Sequence, residues 1–140
     1  MHLPLLVLDA SLSNVARDHS GDMAKRNYFA HRTPEGIGPL ERCNKGGIRI
    51  SETRGTGNYI HLGCAENIFK LNLAKSKHYI NGKYSHSEYH TQEEIAEVTV
   101  AGWMNSAGHK RNILTSYWKQ EGIGVVVSVH GYAYITQNFN

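Results

Sequence analysis

Three side chains of a chemically versatile type stand at the edges of predicted elements: His31, Glu66 and His109. A neutral imidazole offers a lone pair to a proton or a metal ion, and a carboxylate offers a charge and two acceptors. None of the three belongs to a self-sufficient catalytic motif. The chain contains no H-E-x-x-H, G-x-S-x-G or Walker loop, and no dinucleotide-binding glycine pattern after a strand. Ser106 stands three residues before His109, but a serine ahead of a short helix reads as a cap aimed at backbone amides, so a nucleophilic dyad is not expected. By residue type alone, a histidine in a loop after a helix is more often a hydrogen-bonded structural group than a ligand. His19 falls on the apolar face of a predicted helix and reads as a core histidine. His78, His86 and His90 form a loose surface group near tyrosines, where adventitious metal is the alternative to the default reading of a solvated loop.

The elements that must position these residues follow from periodicity. Leu12, Val15, Ala16, His19 and Met23 recur at helical spacing after Asp9, which predicts a helix fading near Asn27, just before His31. Asp9 or Ser11 supplies its cap. Thr33-Pro34-Glu35-Gly36 reads as a turn. Pro39 to Gly46 reads as a short helix, with proline at its start and glycine at its stop. Gly47 to Tyr59 reads as a polar loop with a short extended piece at Ile48–Ile50. Cys64 to Phe69, which carries Glu66, is compatible with a strand. Leu71 to His90 fits neither period, and Lys75 to His86 reads as an exposed insertion. Thr91-Gln92-Glu93-Glu94 is a capping box opening a helix with Ile95, Val98, Gly102 and Trp103 inward. Ser106 then caps a short helix bearing His109 to Leu114. Ile123, Val125, Val127 and Val129 alternate with other residues, and Tyr132 to Phe139 is rich in strand formers, so the end reads as a hairpin turning near His130-Gly131.

Composition narrows the class. The chain has 140 residues, 40% hydrophobic and 19% charged, which favours one domain over 1–140 with its own core and argues against disorder. The order of elements indicates an α+β fold, a small antiparallel sheet covered by helices. The apolar stretch Leu3–Leu8 contains Pro4 and is far short of the roughly 20 residues of a membrane span. Net charge is +3 with histidine neutral, without the basic patch expected of a nucleic-acid binder. Protonating all nine histidines would add nine positive charges, so surface charge depends strongly on acidity. The two cysteines, Cys43 and Cys64, are too far apart for a C-x-x-C motif and are either one disulfide or two separate thiols.

Asp22 to His31, followed by Thr33-Pro34-Glu35-Gly36, resembles the first signature of the CAP superfamily, which groups cysteine-rich secretory proteins, antigen 5 and pathogenesis-related proteins. Ala65-Glu66-Asn67-Ile68 resembles its second signature. Trp103 to Leu114 resembles the third in its prokaryotic form, and Gly122 to Phe139 fits the last two strands. The resemblance runs in order from about Leu5 to Phe139. It implies a three-layer α-β-α sandwich, usually secreted, in which two histidines and two acids line a central cavity able to bind a divalent ion such as zinc. Carried over, His31 and His109 are the cavity histidines and Glu66 the first acid. In eukaryotic members the second acid is a glutamate just after the tryptophan, where Met104-Asn105-Ser106 stand here instead. Glu97 is turned well away on its helix, so a three-residue site of His31, Glu66 and His109 is expected. Relatives ordinarily open with a further helix before the equivalent of Leu3-Pro4-Leu5. This chain starts past that helix, either as a truncated piece or as a variant that lacks it, and a missing helix would leave apolar surface open to association. The resemblance also implies export, and with it a Cys43–Cys64 bridge closing the loop ahead of Glu66.

The function so implied is a secreted binding module holding a divalent ion and an extracellular ligand, such as a peptide, a lipid or a cell-surface component. One alternative is a metal-dependent hydrolase with Glu66 as base. Another is a partner-binding domain whose cavity is vestigial and whose insertion Leu71–His90 makes the contact.

Overall fold

The computed structural model of the chain describes residues 2–140. A short strand, β1 (Val7–Leu8), leads into α1 (Ala10–Arg26). Asp9 caps this helix, accepting the Leu12 N–H at 2.7 Å. Asn27 closes it in the left-handed conformation, at φ 55°, which asparagine tolerates better than most residues. Leu12, Val15, Ala16, His19 and Met23 are all buried, as their spacing requires. Helix α2 (Pro39–Lys45) has its proline in the first turn, where a missing N–H breaks no helical bond. Beyond it lie β2 (Glu52–Arg54), β3 (Ile60–Leu62), β4 (Ala65–Asn72), β5 (Ala74–Ile80) and β6 (Lys83–Tyr89). Helices α3 (Gln92–Met104) and α4 (Ala107–Ile113) precede the closing strands β7 (Gln120–Val127) and β8 (Tyr132–Phe139).

The main sheet has the order β1-β7-β8-β4. Strands β7, β8 and β4 are antiparallel, and β1 joins β7 in parallel. Side chains alternate between the faces of a strand, and the two faces carry different helices. Met23, Ile68 and Tyr134 pack together on the α1 face. Leu71, Trp103, Ala133 and Ile135 pack together on the α3 face. The result is the expected three-layer α-β-α sandwich. Two glycines allow α1 to lie close on the sheet: a Cβ on Gly124 would stand 2.2 Å from the Arg17 backbone nitrogen, and one on Gly122 2.3 Å from the Leu12 carbonyl carbon. The valines alternating with them face the other way. Val125 and Val127 are about half exposed, and a groove of about 360 Å³ runs between Ile123, Val125 and α3. Among the described residues no helix is long and apolar enough to cross a membrane.

Several local readings need correction. Ile48–Ile50 is not a strand; β2 begins later and pairs with β3, Thr53 opposite His61. The insertion is regular: β5 and β6 form an exposed ribbon turning at Asn81-Gly82, both at positive φ, the mark of a tight type I′ turn. On α3 the capping box is present as expected, but Val98 is exposed and Thr99 is buried in its place. Ser106 holds the N-cap position of α4 without a side-chain cap bond. The Cys43–Cys64 disulfide is formed, with both cysteines packed against Leu12 and Val15.

Candidate functional site

The site is assembled at the β4 edge of the sheet. Strand β4 has β8 on one side only, and α4 covers part of its free edge, where Asn112 Nδ2 donates to the Glu66 carbonyl at 3.2 Å and to Asn67 Oδ1 at 2.9 Å. Capping an edge with a helix satisfies backbone groups that would otherwise invite pairing. It also brings His109, on α4, to the strand that carries Glu66. His31 arrives from the opposite layer, in the segment after α1.

Glu66 is the centre. Its carboxylate is almost wholly buried, yet four groups surround it. His31 Nδ1–H donates to Oε1 at 2.9 Å, Arg42 Nη2 donates to Oε2 at 2.5 Å, and Asn138 Nδ2 donates to Oε2 at 3.1 Å. His19 Nε2 lies 3.8 Å from Oε1. Burial alone would raise the Glu66 pKa. The His31 hydrogen bond, the Arg42 charge and the His19 interaction outweigh it, and the group is held below its usual 4.5. Glu66 is therefore an anion at neutral pH.

The hydrogen bond to Glu66 fixes the His31 tautomer. A carboxylate only accepts, so Nδ1 carries a proton, and in the neutral ring the lone pair is on Nε2. The His31 side chain is 49% exposed, so the ring is at the surface rather than in an enclosed hollow. Arg42 secures the same segment from behind, donating through Nη1 to the carbonyls of His31 at 2.8 Å and Ile37 at 3.0 Å. His109 is partly buried. Its pKa is lowered, first by desolvation and then by repulsion from the His31 ring when that ring is protonated, so its imidazole is biased toward the neutral, lone-pair form. The structure thus joins His31 directly to Glu66 and sets His109 within electrostatic reach of His31. Glu97 is exposed on α3 and takes no part.

His19 has the role read from its helical position. It is buried, its Nε2–H donates to the Ala30 carbonyl at 2.9 Å, and burial is the main cause of its lowered pKa. Two partners of Glu66 were not anticipated, Arg42 and Asn138. For Arg42 a signal was present: it precedes Cys43, and Glu66 follows Cys64 by two residues, so the disulfide that joins the cysteines also brings the ion pair together. Asn138 lies opposite Glu66 in the β4–β8 register, which only the pairing reveals.

The fold defines a class, and comparison with known proteins gives the family. The profile of the CAP family, cysteine-rich secretory protein family, matches residues 1–139. The chain belongs to that family. It is 32% identical over 123 residues to the uncharacterized protein YkwD of Bacillus subtilis, covering 88% of this chain and 35% of that protein. It is 27% identical over 137 residues to the uncharacterized membrane protein YlbC of the same organism, covering 98% of this chain and 29% of that protein. The chain thus spans about a third of the length of these curated relatives. Among solved structures it is similar to an extracellular SCP-domain protein from Bacillus anthracis, at 29% identity and a TM-score of 0.61, covering 98% of this chain and 34% of that one. It shares its fold with an outer surface protein of Borrelia burgdorferi, at 15% identity and a TM-score of 0.64, covering 98% of this chain and 77% of that one.

Proposed function

We propose that this chain is an extracellular binding module whose His31–His109 pair holds a divalent ion, zinc by preference, and presents it to a ligand. The observation that carries the reading is the His31–Glu66 hydrogen bond at 2.9 Å. A carboxylate behind an imidazole sets the tautomer, orients the ring and makes the outer nitrogen a better ligand. Among the described residues no three His, Cys, Asp or Glu side chains are arranged to hold a metal, and Glu66 is claimed by His31, Arg42 and Asn138. We read the ion as held by His31 Nε2 and a His109 nitrogen, with Glu66 behind His31 instead of on the metal; the hydrogen bond that orients His31 supports this reading. Such an ion would supply a Lewis-acidic contact with positions left for water or an oxygen donor of the ligand.

Export is supported by the Cys43–Cys64 disulfide, since such bonds persist in oxidising compartments, and by the extracellular SCP-domain relative. A peptide, lipid or cell-surface component remains the ligand class. The hydrolase reading needs Glu66 as a free base, and an anion paired with Arg42 and held below pKa 4.5 is a poor one.

Calorimetry with zinc on chelator-stripped protein tests the proposal. The wild type should bind, and His31→Ala with His109→Ala should lose the corresponding heat. Equal affinity in the double variant would overturn it.

A further inference from the structure

The β5–β6 ribbon carries a second group of metal-ligating side chains that the site above does not use. His78 and His86 stand directly opposite each other in its register. Their rings stack with centroids 4.5 Å apart and planes within 7°. On the same face His78 Nε2 lies 3.6 Å from Glu88 Oε1. Ser76 Oγ lies 3.1 Å from His78 Nε2 and donates to Glu88 Oε2 at 3.2 Å. The ligand atoms of a tetrahedral zinc ion, each about 2 Å from the metal, stand roughly 3.3 Å apart. The nitrogen and carboxylate oxygen are close to that spacing already. The His78 and Glu88 side chains are substantially exposed, so they are free to turn. His90 follows the end of β6 and is not part of the cross-strand pair; its Nδ1 is engaged with the Leu73 carbonyl at 3.1 Å.

We propose that this face of the ribbon is a divalent transition-metal site, with His78 and His86 as a cross-strand ligand pair, Glu88 as the third ligand and Ser76 supporting them. The three side chains do not yet converge; the site closes when the exposed rings rotate onto the ion. Imidazole and carboxylate donors suit zinc and its neighbours rather than magnesium. The ribbon has a reason to take such a clamp. It is two-stranded, and a lone two-stranded ribbon is marginal in water. Its tie to the body is local: the His90 N–H donates to the Leu73 carbonyl, and Lys75 pairs with Glu94 on α3. An ion bridging the strands would hold this projecting arm in one shape.

The test is zinc titration of chelator-stripped chain carrying His31→Ala and His109→Ala, followed by backbone amide resonances. The expected result is one zinc equivalent, with shifts confined to β5 and β6. Adding His78→Ala and His86→Ala should abolish those shifts, and Glu88→Gln should weaken the affinity several-fold. Should the His31/His109 variant fail to fold, the same readout in the wild-type background serves, with the ribbon shifts lost in His78→Ala/His86→Ala. Ribbon amides that do not move with zinc, that move equally with magnesium, or that still move without both histidines overturn the proposal.

Discussion

At the scale of single residues, Glu66 is costly to bury and is stabilised by the groups around it. Removing one partner of a buried pair leaves an uncompensated charge. Arg42→Met is therefore expected to destabilise the fold by about 3 kcal/mol, measured by urea denaturation, and to loosen the His31 segment that Arg42 also holds. A loss no larger than that of a typical surface substitution would show that the pair is not needed. Acid should act through the same centre. Burial keeps His19 below its usual 6.5, so the unfolded chain takes up a proton that the folded chain refuses. That contribution is complete above about pH 6.5 and is lost as pH falls below it. Glu66, held below 4.5, adds a further loss at lower pH as it is protonated. The urea midpoint should therefore fall as pH drops from about 7 to about 5. His19→Gln should make that fall shallower; an unchanged slope would contradict the assignment. His19 was legible in the sequence because helical spacing places it among Leu12, Val15 and Met23. The Asn138 contact was not, because it depends on a strand register set by chain more than seventy residues away.

At the scale of elements, the contact of α1 with the sheet depends on the absence of side chains from one face of β7. Gly124→Ala would place a methyl group inside the backbone of α1. It should destabilise by about 3 kcal/mol or more, read as a lowered thermal midpoint, whereas Gly108→Ala, with open space around it, should have little effect. Equal tolerance at both positions would mean that α1 lies farther from the sheet. The same glycines explain what pattern reading left open. Alternation of valines with glycines announces β7, but it does not say that the glycine face is the tightly packed one. Helices α1, α2 and α3 were legible because caps, proline and apolar period agree. The β5–β6 ribbon was missed as structure because it buries little and so has no apolar alternation. Only Asn81-Gly82 marks its turn. Likewise β2 and β3 are too short and too exposed for periodicity to register.

At the scale of the molecule, the disulfide links α2 to the start of β4 and so ties the Arg42 segment to the Glu66 strand. It spans 21 residues, and closing a loop of that size contributes about 3 kcal/mol. Reduction should lower the thermal midpoint and also weaken zinc binding. A lowered midpoint with unchanged zinc affinity in the folded reduced protein would show that the bridge supports the fold and not the site. The central claim is that two layers of the sandwich deliver two imidazoles to one edge, with one of them fixed by Glu66. Long-range proton–nitrogen correlation spectra of the histidine rings, before and after zinc, test it most directly. The account predicts a His31 ring protonated at Nδ1 in the metal-free protein. On adding zinc, its Nε2 and one His109 nitrogen should shift together. A His31 ring protonated at Nε2, or a zinc titration that leaves both rings unmoved, would contradict it.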